Sequence, residues 1–200
     1  WVNGNSGYRA KVVAHELGHT LTLGHSNTRW GCSTGPDGPA AACRTGDYGD
    51  SYDVMGVIGP AGPGPLGGAH LAVLGLTIPG STVTASSTTT TATLMPVGGL
   101  SGTRFLTFTA AGARYFVEYR GAVGRDADLA TNRTGCPTGV ASCTHQRYLP
   151  GVVVRRLDAV GSGQDSYLLD VGRNDPGRAA TQPRFDLQPG QSFTTIDGSM

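Results

Sequence analysis

Residues 15–25 read HELGHTLTLGH, and the interpretation of the whole chain starts from this stretch. Residues four apart lie on one face of an α-helix, one turn above the other, so a helix here brings His15 and His19 side by side. Zinc binds neutral imidazole nitrogens in a tetrahedral arrangement. Glu16 follows the first histidine, where its carboxylate can accept a proton from a water in the open metal position. The spacing therefore predicts a zinc-binding helix with a general base.

The third ligand is predicted to be His25. A glutamate further along the chain is the alternative, but besides Glu16 the only one is Glu118, about a hundred residues away in a predicted strand. On an unbroken helix His25 would point about 80° away from His15, so the chain must leave the helix after His19. Gly24 can adopt a positive φ and is expected to make that turn.

The helix is predicted over residues 8–23, with Val12, Val13, Leu17 and Leu21 as its apolar stripe. The next segment, residues 24–66, has a loop-like composition that includes the Gly- and Pro-rich run GPAGPGP. Residues 67–76 predict a second, short helix.

The composition changes after Pro79 and Gly80. Short β-branched or aromatic runs follow, separated by turn residues, and they predict strands at residues 85–97, 103–110, 114–121, 151–157, 166–171 and 191–196. We therefore predict an α+β chain, with the zinc helix and a short helix in residues 1–79 and a β-rich C-terminal module in residues 80–200.

The four cysteines form two local pairs, Cys32 with Cys43 and Cys136 with Cys143. Neither pair has the CxxC spacing of a zinc knuckle, so we predict two short loops closed by disulfides in an oxidising compartment.

The charge and hydropathy exclude two classes of partner. The net charge of +1 gives no indication of nucleic-acid binding, and no segment approaches the ~20 apolar residues of a membrane span. No signal peptide is visible and the chain starts at Trp1, so a processed or partial chain is expected. The sequence does not indicate an oligomeric state.

The histidine motif resembles that of the metzincin zinc peptidases, HExxHxxGxxH. His15, Glu16, His19 and His25 match it, and Thr22 stands in place of its glycine. Residues 48–56, YGDSYDVMG, are similar to the methionine turn of that group.

A narrower resemblance is to the gametolysin-like metallopeptidases (gleysins) and their bacterial relatives. It rests on HELGH, GHSN, the Cys32–Cys43 loop, YFVEYRG and GVVVRRLD. It implies a secreted zinc endopeptidase with one catalytic zinc that acts on proteins or peptides. Met55 would be an apolar floor below the zinc and not a ligand. The loop at residues 57–66 would line the substrate pocket.

Two departures from the family pattern keep another class open. A β-branched residue with positive φ is an outlier, so either Thr22 takes an ordinary conformation and Gly24 makes the turn, or the third ligand is held less well. The residues before His15 are also too few for the strands with which metzincins pair their substrate. The alternative is therefore a non-catalytic or weakly active module that binds zinc or a cell surface.

Other polar residues receive structural interpretations. The acidic cluster at Asp47, Asp50 and Asp53 could bind calcium, but it lacks the glutamate and glycine of an EF-hand loop, so turns and caps are favoured. Ser26 is expected to tie the loop after His25 to residues 48–56, and Asp53 to shape that turn. The remaining group is predicted to lie at the surface or the edge of the core: His70, Glu118, Arg120, Arg155 and Arg156.

Overall fold

The computed structural model describes residues 9–56, 64–77, 79–86, 89–99, 101–131, 133–134, 147–158, 164–172 and 183–198. Within these ranges the α-helices are α1 (Arg9–Thr20) and α2 (Gly68–Val73). Short 3₁₀ helices cover Ala40–Ala42 and Gly124–Thr131. The strands are β1 (Leu23–Trp30), β2 (Arg44–Gly46), β3 (Thr82–Thr84), β4 (Phe105–Ala110), β5 (Ala113–Arg120), β6 (Arg133–Thr134), β7 (Arg147–Tyr148), β8 (Gly151–Leu157) and β9 (Gln164–Leu169).

A seven-stranded, mostly antiparallel sheet organises the fold. Its strand order is β2-β1-β9-β8-β5-β4-β3, and the parallel pairs are β1 with β9 and β3 with β4. Helices and sheet together make the mixed α+β class that the sequence predicts. Strands from both sides of residue 80 belong to this one sheet, while the division into residues 1–79 and 80–200 stays a prediction.

Most predicted elements in the described part of the chain are confirmed, and three are wrong. Both helices form, the first ending at Thr20 and not at residue 23, and β4, β5, β8 and β9 overlap four of the predicted runs. The loop expected from residue 24 is instead the inner strand β1 as far as Trp30. Residues 191–196 contain no strand, and residues 89–97 contain only a single bridge, from Pro96 to Tyr119.

The apolar stripe predicted for α1 lies on the wrong side of the helix. Val13, Leu17 and Leu21 are each about half exposed, at 50%, 56% and 49%. The buried side of the helix includes Lys11 and His15. The helix therefore turns its histidine face towards the protein, and the 3.6-residue apolar period does not report burial here.

Three of the four charged strand residues that the sequence places at the surface, Glu118, Arg120 and Arg155, are fully buried, and Arg156 is partly buried. Glu118 on β5 accepts hydrogen bonds from Arg155 Nε at 2.8 Å, from Arg120 at 3.2 Å and from the backbone N–H of Gly68 at 2.8 Å. Arg155 also pairs with Asp50. The surface prediction is wrong because partners from separate segments satisfy these charges inside the protein.

The Cys32–Cys43 disulfide is confirmed. Its loop is held against the sheet by the buried Asp37, which accepts a hydrogen bond from the Tyr115 hydroxyl at 2.6 Å. The predicted pair Cys136 and Cys143 lies outside the described residues, as do residues 57–63 of the predicted pocket loop.

Candidate metal site

Three histidines from two elements converge on one point. His15 and His19 come from adjacent turns of α1, and His25 comes from β1. Each offers a ring nitrogen, and the three nitrogens lie within 4.8 Å of one another. In the described part of the chain, this is the only group of three or more potential metal-binding side chains. The structure thus brings together the three predicted ligands.

The ring orientations of the two helical histidines fit a metal. His15 Nδ1 lies 3.0 Å from the carbonyl oxygen of Val54, and His19 Nδ1 lies 2.9 Å from that of Leu23. Because a carbonyl can only accept, each Nδ1 is the protonated nitrogen and each Nε2 presents a lone pair. The two Nε2 atoms face each other at 3.1 Å. This donor set suits a cation that accepts imidazole ligands.

His25 is held in the form that binds metal. Burial lowers its pKa, as do the neighbouring His19 and His15, and these effects outweigh the raising effect of Asp165 and Asp47. A lowered pKa keeps the imidazole neutral near neutral pH, as coordination requires.

The ring of Tyr48 packs on His25, with the two ring centroids 3.8 Å apart. Tyr48 was not singled out from the sequence because nothing in its local pattern indicates this contact. Its backbone has a positive φ of 58°.

The turn between helix and strand is made at Thr22 and not at Gly24. Thr22 has a φ of 70°, and Gly24 is not among the residues with positive φ. The expectation for Gly24 is therefore wrong. This glycine is needed for close approach instead, since a Cβ on it would collide with Asp165 of the neighbouring strand β9.

Residues 50–56, here called the 50–56 turn, lie against the segment that carries His25. Ser26 donates its backbone N–H to Met55 at 2.9 Å and its hydroxyl to Asp50 at 2.7 Å. Asp50 returns a backbone hydrogen bond to the Ser26 carbonyl at 3.2 Å. The predicted tie through Ser26 is confirmed.

Asp53 shapes the same turn from inside. Its carboxylate accepts the backbone N–H groups of Met55 at 2.8 Å and of Gly67 at 2.7 Å. His70 Nδ1 lies 3.2 Å from it, and His70 is fully buried, which corrects its predicted place. Burial alone would raise the pKa of Asp53, but His70 and the two N–H groups lower it. The structure thus commits the carboxylates of Asp50 and Asp53 to protein donors, the turn-forming role that the sequence favours over calcium.

Met55 lies directly beneath the helix that carries two of the histidines. Its side chain is fully buried, and a Cβ on Gly18 would collide with its sulfur. Gly18 precedes His19, so the missing side chain lets the 50–56 turn approach the helix at the metal site. Nothing in the local sequence pattern indicates this role of Gly18.

Glu16 and the preceding residue, His15, differ in solvent exposure. The Glu16 side chain is exposed to solvent, whereas His15 is buried. The predicted base therefore lies on the solvent side of α1, one residue after the first ligand.

Comparison with known proteins gave no match for this chain among protein-family models, curated sequences or solved structures. Among the described residues, no helix combines the length and apolar character needed to cross a membrane.

Proposed function

We propose that this protein is a secreted zinc endopeptidase of the metzincin type, similar to the gametolysin-like enzymes. The observation that carries the proposal is the convergence of three histidine nitrogens within 4.8 Å, in the spacing of the family motif. The Cys32–Cys43 disulfide supports the secreted location, since such bonds persist in oxidising compartments.

In this proposal His15, His19 and His25 hold the ion, and the carbonyls of Val54 and Leu23 fix two of the rings. Zinc in such a site acts as a Lewis acid that activates water for attack on a carbonyl. The chain's own residues supply the proton transfer. The exposed Glu16 carboxylate accepts a proton from the attacking water and passes it to the leaving amine.

The 50–56 turn has the role of the methionine turn. Met55 fills the space under Gly18 as an apolar support and is not a ligand. Asp50 and Asp53 hold that support in place through Ser26 and through the backbone of Met55.

The test combines zinc content with peptidase activity on a general protein substrate. The parent should bind one zinc, and His25→Ala should lose it or bind it far more weakly. Glu16→Gln should retain zinc, because the side chain is exposed and is not a ligand, and should lower kcat by ~10²–10⁴-fold. Full activity in Glu16→Gln would remove this residue from the mechanism.

The second candidate is a non-catalytic or weakly active module that binds zinc. The positive φ of Thr22, at the position where the family has glycine, favours it, because the turn that leads to His25 is strained. This candidate predicts one bound zinc with no hydrolysis above the Glu16→Gln background.

A further inference from the structure

We propose that Asp165 and Asn27 are positioning residues that aim the third ligand, His25, at the metal. This inference rests on the proposed function, because it assigns the support of the same metal site. It gives strand β9, about 140 residues along the chain from His25, a part in metal binding.

The need for a positioning device arises from an irregularity in the sheet. Along the parallel pair β1–β9, Leu23 is opposite Gln164 and Ser26 is opposite Ser166. Three residue steps on β1 therefore match two on β9, which makes a bulge that contains Gly24 and His25. Bulges re-aim side chains and leave backbone groups without their ladder partner.

The Asp165 carboxylate takes the place of that partner. One oxygen, Oδ1, accepts the backbone N–H of His25 at 2.8 Å, and Oδ2 accepts the side-chain amide of Asn27 at 3.2 Å. Gly24 makes this approach possible, since any Cβ there would occupy the space of Asp165. The carboxylate thus holds the backbone of His25, before Ser26, and the side chain of Asn27, after it.

Asn27 extends the support to the other side of the ligand. Its side-chain oxygen accepts the backbone N–H of Tyr48 at 2.9 Å, and the Tyr48 ring packs on the His25 ring. The contacts form a closed circuit from the His25 backbone through Asp165, Asn27 and Tyr48 to the His25 ring. The Asn27 amide donates on one side and accepts on the other, so an aspartate cannot replace it while residue 165 carries a carboxylate.

This pattern of donors gives a sharp test by exchange of the two side chains. Asn27→Asp alone would place two carboxylates in contact, and Asp165→Asn alone would place two amide N–H₂ groups in contact. In the double variant Asn27→Asp/Asp165→Asn each hydrogen bond can form again, and the net charge is unchanged. Only the direction of the bond between the two side chains is reversed.

We would measure zinc affinity of the full chain by competition with a chromophoric chelator. Each single variant should bind zinc 10–100-fold more weakly than the parent, as is usual when a group that supports a ligand is removed. The double variant should recover most of this loss. Asp158→Asn is the matched control, because it makes the same chemical change in a carboxylate that pairs with Arg29 of β1 and Arg156 of β8 and not with the cluster. It should leave zinc affinity unchanged.

The outcomes separate the two proposals. A parent chain that binds no zinc overturns the proposed function. A parent that binds zinc, with single variants that bind it equally well, overturns the positioning role alone. Losses in the single variants without recovery in the double variant also overturn it. If a single variant fails to fold, the double variant is compared with the parent. The proposal requires their zinc affinities to agree within a few-fold, and a larger difference overturns it.

Discussion

Replacing Thr22 by glycine should make the protein more stable, although glycine usually destabilises a folded chain. Thr22 lies in the left-handed region, with φ at 70°, and its side chain is exposed. Its backbone N–H donates to the carbonyl of His19 at 3.0 Å, a bond that glycine keeps. The substitution therefore removes a backbone strain without removing a buried contact.

The magnitude follows from two opposing effects. A residue with a Cβ in the left-handed conformation costs about 1–2 kcal/mol, and glycine does not incur this cost. Glycine also increases the conformational entropy of the unfolded chain, and this effect lowers the gain in stability by about 0.4–1 kcal/mol. The net gain in the free energy of unfolding is about 1 kcal/mol, or about 2–4 °C in Tm for a chain of this length.

The assay is urea unfolding of the zinc-free, oxidised protein, followed by circular dichroism. Thr20→Gly is the matched control, because Thr20 is exposed, ends α1 with helical geometry and donates its hydroxyl to the Leu17 carbonyl at 2.7 Å. This control should lose about 0.5 kcal/mol, because glycine has a lower helix propensity than threonine and cannot make the hydroxyl hydrogen bond. The two substitutions should thus have opposite signs. A loss in Thr22→Gly as large as that in Thr20→Gly would refute the left-handed turn at Thr22.

Three further predictions concern stability and use the same unfolding assay. Gly18→Ala should lower the free energy of unfolding by about 1–3 kcal/mol, because the added Cβ collides with Met55. Alanine normally stabilises a helix relative to glycine, so a higher free energy of unfolding would contradict this packing. Burial raises the pKa of Glu118 to about 7, so its folded state holds a proton that the unfolded state loses near pH 4.5. The free energy of unfolding of the parent should therefore fall by roughly 3 kcal/mol from pH 4.5 to 8, relative to Glu118→Gln, and equal slopes would refute the shift. Replacing both Cys32 and Cys43 by serine should lower the free energy of unfolding by about 3 kcal/mol, because the unfolded chain loses the loop-closure constraint. A reductant should lower the stability of the parent and leave that of the variant unchanged.

The sequence predicted the convergence of the three histidines because the signal for it is local. His15 and His19 need only the helical repeat, and His25 lies six residues after His19 in the printed sequence. The position of the turn was not predicted correctly. Because β-branched residues rarely adopt a positive φ, the sequence indicated a turn at Gly24 and not at Thr22. In the structure Thr22 makes the turn with a strained backbone. Gly24 is needed instead for the close approach of β9.

The polar interior could not be predicted because it depends on contacts between distant segments. The strand β1, LGHSNTRW, shows no alternation of apolar and polar residues, yet seven of its eight residues, all except His25, are buried. Glu118 lies between two apolar residues of its strand, which is the usual pattern of a solvated face, and Arg155 is followed by a second arginine. Each is buried because the other, 37 residues away, pairs with it.

The buried charges have a consequence for the site that apolar residues could not supply. Ion pairs removed from water contribute little net stability, because desolvation offsets their attraction. An apolar side chain of the same volume would fill the place of Arg155, but it would not bring Asp50 to the Ser26 hydroxyl. Ser26 lies directly after His25, so the network behind it fixes the backbone next to His25 from the core side. The three histidines of the candidate site are thus encoded locally, whereas the accuracy of their placement depends on β5, β8 and β9.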